Sequence, residues 1–445
     1  MKEQAMNVME AIREAGVVGA GGAGFPTHVK LAVQARQVLL NGAECEPLLR
    51  VDQLAMEHQA PRVVRGLELA MEAAGAREGV IATKTHYHEA VRALEKAIAG
   101  RPHLRLHLME SYYPSGDEKS VIHEVTGQVV PTGKLPIDAG CVVINVGTAL
   151  NIADAADGKP VTGKTVTLCG DVPEPMTVTV PLGTSFRETL TLCAFTGQEQ
   201  DYALLVGGPC MGELAEDWDA PVTKTTGGLL VLPRTHPLIV SRTISMERQA
   251  ALARSICCQC NRCTMLCPRH ALGLPVEPHK AMRALSTGNA ELLGDAAGVL
   301  ACSSCGLCTY FACEMGLTPS VVMTMLKQEM AKAGVRPVPE ADIRPDPQLA
   351  LKNVPVKRLM ARMGLTAYDH PAPLSSKSLH PKTVKLPLRQ HVGRPAQAMV
   401  AVGDEVIKGQ KIGRIPECAL GAALHASVTG QVTQVTDQWI VIQAK

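Results

Sequence analysis

Nine of the fifteen cysteines of this 445-residue chain fall between Cys257 and Cys313, and any fold the chain adopts has to accommodate that density. The other six, Cys45, Cys141, Cys169, Cys193, Cys210 and Cys418, are scattered singly. A disulfide framework belongs to small domains in oxidising compartments. A dense cluster in a long chain reads instead as metal binding in a reducing one. The opening MKEQAMNVMEAIREAG lacks the basic start, apolar core and small-residue cleavage site of a secretory signal, so the expected setting is intracellular. No window reaches the roughly eighteen apolar residues of a membrane span, and none is expected. With 44 basic residues against 42 acidic and only 3% aromatics, neither electrostatic pull nor stacking platforms favour a nucleic-acid partner.

The spacing is more specific than the number. Cys257-x2-Cys260-x2-Cys263-x3-Cys267-Pro268 has the run of a bacterial 4Fe–4S site. Three thiolates on a tight loop cap three irons of a cubane, and in two-cluster proteins the fourth cysteine serves the other cluster. The second group is Cys302-x2-Cys305-x2-Cys308-x4-Cys313, one residue longer in its last gap and with Glu314 where proline is expected. By the crossing rule Cys257, Cys260, Cys263 and Cys313 hold one cluster, and Cys302, Cys305, Cys308 and Cys267 the other. Cys258 fits neither spacing and reads as an unligated thiol. Zinc also takes four thiolates, but quartets with a remote fourth cysteine suit it poorly.

Upstream, strand-like runs at 38–40, 79–82, 104–108 and 142–146 alternate with helical stretches, which predicts a layered α/β domain over residues 1–160. Its N-terminal helix is expected from the period of Met6, Met9 and Ile12. A small β-rich domain with one helix follows at 161–240, then a helix-rich, cysteine-bearing domain at 241–335. Residues 336–384 are rich in proline and read as a linker, and 385–445 as a compact all-β module. Within the first domain Gly19–Gly24 satisfies G-x-G-x-x-G, but helix rather than strand precedes it, so a Rossmann turn is the second reading. Glycines that let backbone N–H groups approach an anion, and a helix opening at Pro26 with Lys30 one turn in, suit a phosphate. A purely structural turn is the alternative. The loop Asn41–Pro47 carries Glu44 and Glu46, which either face one site or are solvated. In Tyr112–Lys119 a turn leads to acidic residues at a helix start, where the dipole favours them in any case.

Together these stretches resemble the flavin-binding subunit of respiratory complex I and, more closely, the C subunit of the Rnf electron-transport complex. The resemblance lies in GAGGAGFPTHVKL, NGAECEP, YPSGDEK and NVGTALNI, continues through TLCGDVPEPMTVTVPLGTS and GGPCMG, and ends in the paired cysteine motifs. It implies a multidomain α/β protein: a complex-I-flavin-subunit-like domain, a β-grasp domain of the soluble-ligand-binding (SLBB) type, a ferredoxin-like two-cluster domain and a C-terminal hybrid-motif (lipoyl-like) domain. It implies FMN held by Gly21, Gly22, Gly24, Lys30, Asn41, Glu44, Gly116, Asp117, Asn145 and Thr148, with Phe25 stacking on a ring of the nicotinamide nucleotide. Glu46 and Glu118 match carboxylates that face NADH. No lysine stands at the hairpin Ser427–Thr429, so lipoylation or biotinylation is not expected.

The hybrid-motif domain follows the clusters here, whereas in the Rnf protein it precedes the flavin domain. That order is similar to the cobalamin reductases of propanediol-utilisation bacterial microcompartments. The similarity implies an NADH-dependent oxidoreductase passing electrons through FMN and two 4Fe–4S clusters to cobalamin. It also implies a corrinoid adenosyltransferase and microcompartment shell proteins as partners, a cytoplasmic place inside the compartment, and a homo-oligomer as an open option. A soluble Rnf-like NADH:ferredoxin oxidoreductase component and a non-enzymatic electron carrier are the rivals. His270, His279, His391 and His425 are candidate cobalt ligands, but each reads first as a packed or surface histidine.

Overall fold

The apolar runs Val38–Leu40 and Val142–Ile144 are unbroken, as strands covered on both faces require. They lie side by side in a four-stranded parallel sheet ordered Leu104–Met109, Glu78–Lys84, Gln37–Gly42, Cys141–Asn145. Alternate side chains feed two layers. Val38, Leu40, Ile81, Val142 and Ile144 enter the core beneath helices Val51–Ala73 and Val146–Ala156. Leu39, Val80, Ala82 and Val143 face Val121 and Ile122 of helix Glu118–Thr126 on the other side. The computed structural model describes residues 7–340 and 342–445. Of the expected N-terminal helix, Val8–Glu14 is present, capped by the Asn7 side chain, and Met6 lies outside the described residues.

A second, mixed sheet follows, ordered Met176–Pro181, Gly163–Gly170, Gly228–Pro233, Tyr202–Val206, Glu213–Leu214. Strands Gly163–Gly170 and Gly228–Pro233 are parallel and the other pairs antiparallel, and helix Phe186–Leu190 closes one face. The cysteine-rich region is built of short helices around Pro278–Thr287 and Pro319–Lys332. Of residues 336–384, expected as a linker, the described stretch 342–382 forms a strap, and Thr383 and Val384 already belong to the strand Thr383–Pro387 of the last module. Val354–Pro355 pairs with Tyr112–Tyr113, and Leu359, Met360, Met363 and Leu365 are buried against both the first domain and the cysteine region. The last module has a four-stranded and a three-stranded sheet, and its apolar face joins the core of the first domain. Polar contacts fasten it to both preceding domains: Ser427 Oγ donates to the Leu182 carbonyl of the second (2.6 Å), and in the first Val392 N–H donates to the Gly24 carbonyl (3.2 Å) and Lys411 pairs with Glu14 (2.7 Å).

Candidate functional site

Both cysteine loops take the same local path. The residue before the second cysteine has positive φ in each, Gln259 (54°) and Ser304 (57°), and so does the residue after it, Asn261 (62°) and Gly306 (76°). Left-handed backbone costs an L-residue roughly 1 kcal/mol or more, so its repetition at three non-glycine positions marks a required turn. Such turns aim N–H groups inward, as anionic sulfur demands. Around Ser304 the N–H reaches Cys302 Sγ at 3.4 Å, and the Gln259 amide reaches Cys257 Sγ at 3.2 Å.

The structure brings Cys257, Cys260, Cys263 and Cys313 around one cavity of about 120 Å3. The extra residue in the last gap is absorbed by a π-helical turn, Cys308–Ala312, the usual way a helix takes up a single insertion. Glu314, where proline was expected, pairs with Arg262 of the other loop. Cys267 joins the second group: burial, then Cys305 and Cys302, pushes its thiol up. Cys308 likewise feels Cys302, Cys305 and Cys267, and after them Cys263 of the first group. That quartet is buried, each member 8–9% exposed, whereas Cys260 and its neighbour Cys258 are exposed. Among the described residues no three His, Cys, Asp or Glu side chains converge on a point suited to a single ion. Spread thiols around a cavity fit a polynuclear core.

A cleft of about 700 Å3, a size suited to a small-molecule ligand, opens between the ends of the first sheet and the second sheet. Of the residues expected in a flavin and nucleotide site, Gly21, Gly22, Asn41, Glu44, Glu46, Gly116 and Asn145 line it. The glycine loop is held from behind. Ala20 N–H donates to Thr148 Oγ1 (2.9 Å), and a Cβ on Gly21 would lie 2.8 Å from Asn145 Nδ2, so a side chain there would displace Asn145 from its bonds to Gly147 and Asp52. Asn41 Nδ2 donates to the Gly116 carbonyl (2.9 Å), tying two of the expected loops together. Asn145 caps its helix through Gly147 N–H (2.8 Å) and donates to Asp52 Oδ2 (2.6 Å). Asp52 N–H in turn donates to Glu44 Oε2 (3.0 Å). Burial, then the Asp52 charge, pushes Glu44 up to about 8, and burial raises Asp52 to about 6, so the pair retains a proton near neutrality.

Other expected residues are engaged elsewhere. Lys30 pairs with Glu118 (2.9 Å), and neither lines the cleft. Asp117 is also absent from its lining, because the buried Arg269 guanidinium claims both carboxylate oxygens (2.8 and 2.6 Å). Gly24 abuts the C-terminal module, and Phe25 beside it is exposed. Burial lowers the pKa of all four candidate cobalt-ligand histidines, and His391 and His425 are packed within the C-terminal module.

Glu46 lines the cleft yet is fully used. Its Oε2 accepts from Cys210 N–H (2.8 Å) and Met211 N–H (3.4 Å) of the Gly207–Gly212 loop, and its Oε1 lies 3.1 Å from the Tyr113 hydroxyl. That hydroxyl is also 2.6 Å from the Cys305 carbonyl. One phenolic hydrogen cannot serve two acceptors. A proton on Glu46, which burial favours, completes the chain from cleft to buried quartet. Sequence reasoning missed Asp52, Lys164 and the backbone of Cys210 and Met211, for no local pattern marks them.

Comparison with known proteins agrees with this layout. Residues 12–154 match the family described as the Nuo51 FMN-binding domain, 256–318 a 4Fe-4S dicluster domain, and 371–445 the RnfC barrel sandwich hybrid domain. The chain is therefore a multidomain α/β protein with a flavin-binding, a two-cluster and a hybrid-motif part. It is 45% identical to the cobalamin reductase PduS of Salmonella typhimurium over 99% of this chain and 97% of that one. To the PduS of Citrobacter freundii it is 43% identical, covering 98% and 96%. The C component of the Na(+)-translocating ferredoxin:NAD(+) oxidoreductase complex of Acetobacterium woodii is 38% identical over 59% of this chain and 58% of that one. No helix among the described residues is long and apolar enough to cross a membrane.

Proposed function

The chain belongs to the family of the cobalamin reductase PduS, and from that membership we propose an NADH-dependent flavin and iron–sulfur cobalamin reductase. Its product is cob(I)alamin, made from cob(III)alamin by way of cob(II)alamin, for adenosylation in coenzyme B12 recycling during 1,2-propanediol degradation. The observation that carries the reading is the shared Tyr113 hydroxyl: it joins Glu46 in the cleft to Cys305 in the buried quartet, making two sites one device.

When bound, FMN takes a hydride as a two-electron unit and 4Fe–4S clusters carry electrons singly. The chain's own contribution is placement. Gly21, Gly22, Asn41, Glu44, Gly116 and Asn145 form the flavin bed, with Thr148 fixing the loop beneath. Glu46 holds the Gly207–Gly212 loop over the cleft and faces the nucleotide there, while Glu118, paired with Lys30 outside the lining, is the second carboxylate of the nucleotide side. Cys267, Cys302, Cys305 and Cys308 stand nearest the cleft. Cys257, Cys260, Cys263 and Cys313 stand nearer the surface, where an acceptor can reach. Lys30, Asp117, Gly24 and Phe25 act around this bed, Asp117 by tying it to Arg269.

Residues 161–240 are read as a β-grasp domain of the SLBB type, supported by a mixed sheet in which strands Gly163–Gly170 and Gly228–Pro233 run parallel, with one covering helix. A corrinoid adenosyltransferase as recipient and a microcompartment as setting come from family membership. The test is anaerobic cob(I)alamin formation by the purified protein with NADH. Steady formation is expected. NADH-driven ferredoxin reduction without cobalamin reduction would favour the Rnf-like reading instead, for which the partial likeness to the Acetobacterium woodii protein speaks.

A further inference from the structure

The cleft is lined by carboxyl groups and by a single basic side chain. Among the described residues that line it stand Glu44, Glu46, Asp52 and Glu213, and the single Lys, Arg or His is Lys164. Lys164 is the second residue of the strand Gly163–Gly170 of the second sheet and reaches across to the glycine loop of the first domain. It is 9% exposed, and its ammonium donates to the Ala20 carbonyl at 2.8 Å. No ion pair and no second acceptor complete it among the described residues, so two of its three N–H donors point to no protein partner. A buried ammonium left this way costs free energy unless something else meets it. Asp52 and Glu44 act on it only at longer range, and burial draws it down to about 8. Lys30, the cation expected from the sequence, is occupied by Glu118.

We infer that Lys164 is the cation that meets the negative charge of a flavin nucleotide bound in the cleft; this deepens, and rests on, the flavin reading above. An FMN carries such charge in two places, the phosphate and, once reduced, the isoalloxazine ring. Either would be drawn to an ammonium beside the glycine loop. The second sheet thus supplies a charge that the first domain's own loops lack.

Three substitutions in the full-length protein separate charge from mere pinning of Ala20. Lys164→Gln is neutral but can still donate to the Ala20 carbonyl, Lys164→Met can do neither, and Lys164→Arg keeps both. Each flavin-free protein is titrated anaerobically with FMN and with riboflavin by fluorescence quenching. The flavin midpoint potential is then measured, with iron content and melting temperature as folding controls. Methionine of similar volume is a replacement that buried ion sites often tolerate, so one neutral variant remains if the other misfolds.

Charge compensation predicts that Gln and Met both fail and Arg restores. If the phosphate is the anion, FMN binds about tenfold or more weakly, about 1.4 kcal/mol, and riboflavin is unaffected. If the ring is the anion, the midpoint potential falls and both flavins respond alike. Parental affinity and parental potential in a folded Lys164→Gln protein would overturn the inference and leave the flavin site standing. A parent protein that binds neither flavin would instead remove the reading beneath it.

Discussion

Glu44 shows how one side chain acts differently from what its loop suggests. In NGAECEP two carboxylates stand two residues apart and either of two environments suits them. The structure half-buries both and turns each to a partner, and only tertiary contacts could decide that: Asp52 comes from the next helix, and Cys210 and Met211 from the second sheet's loop. Burial and the Asp52 charge raise Glu44 from 4.5 to about 8. Below 4.5 folded and unfolded chains both hold the proton. Between 4.5 and about 8 the folded chain keeps it while the unfolded chain releases it, so stability falls as pH rises through that window. Lys164, drawn down from 10.5 to about 8, acts with the opposite sign above it, favouring the folded chain as pH rises. Glu44→Gln should therefore flatten the decline in melting temperature of the flavin-free protein between those two pH values. An unchanged slope would show that Glu44 ionises in the fold as freely as in the open chain.

At the scale of elements, the cysteine loops were the most legible part, because ligand spacing is local and each loop is a short turn. The x4 gap was legible as an anomaly but not in its resolution, since a π-helical turn is set by packing around Cys308–Ala312. The parallel sheet was readable from unbroken apolar runs. The strap at 342–382 was not, because its prolines signal extended chain without saying what Leu359 and Met363 pack against. The crossing of the quartets makes a prediction that single substitutions cannot test. Cys260→Ala with Cys313→Ala should lose one cluster and keep about four irons of about eight. Cys260→Ala with Cys267→Ala should lose both. Iron analysis after anaerobic purification distinguishes them, and equal iron in the two double variants would contradict the crossing.

At the scale of the whole molecule, the parts are welded rather than strung. The strap and the Arg269–Asp117 pair, 12% and 10% exposed, lock the cysteine region to the first domain, and the C-terminal module braces the back of the glycine loop. The resemblance anticipated the order of these parts. It did not anticipate that Asp117, matched to a flavin contact, would serve the weld instead. The central claim is that electrons leave the cleft through the buried quartet and no other way. Cys267→Ala, shown to elute normally with FMN and about four irons, tests it in one anaerobic stopped-flow experiment with NADH and cobalamin. Flavin bleaching should keep its parental rate, because that step needs only flavin and nucleotide in contact, while cob(I)alamin formation collapses. Cobalamin reduction at the parental rate in that folded variant would mean the flavin delivers electrons directly, and the account would be wrong.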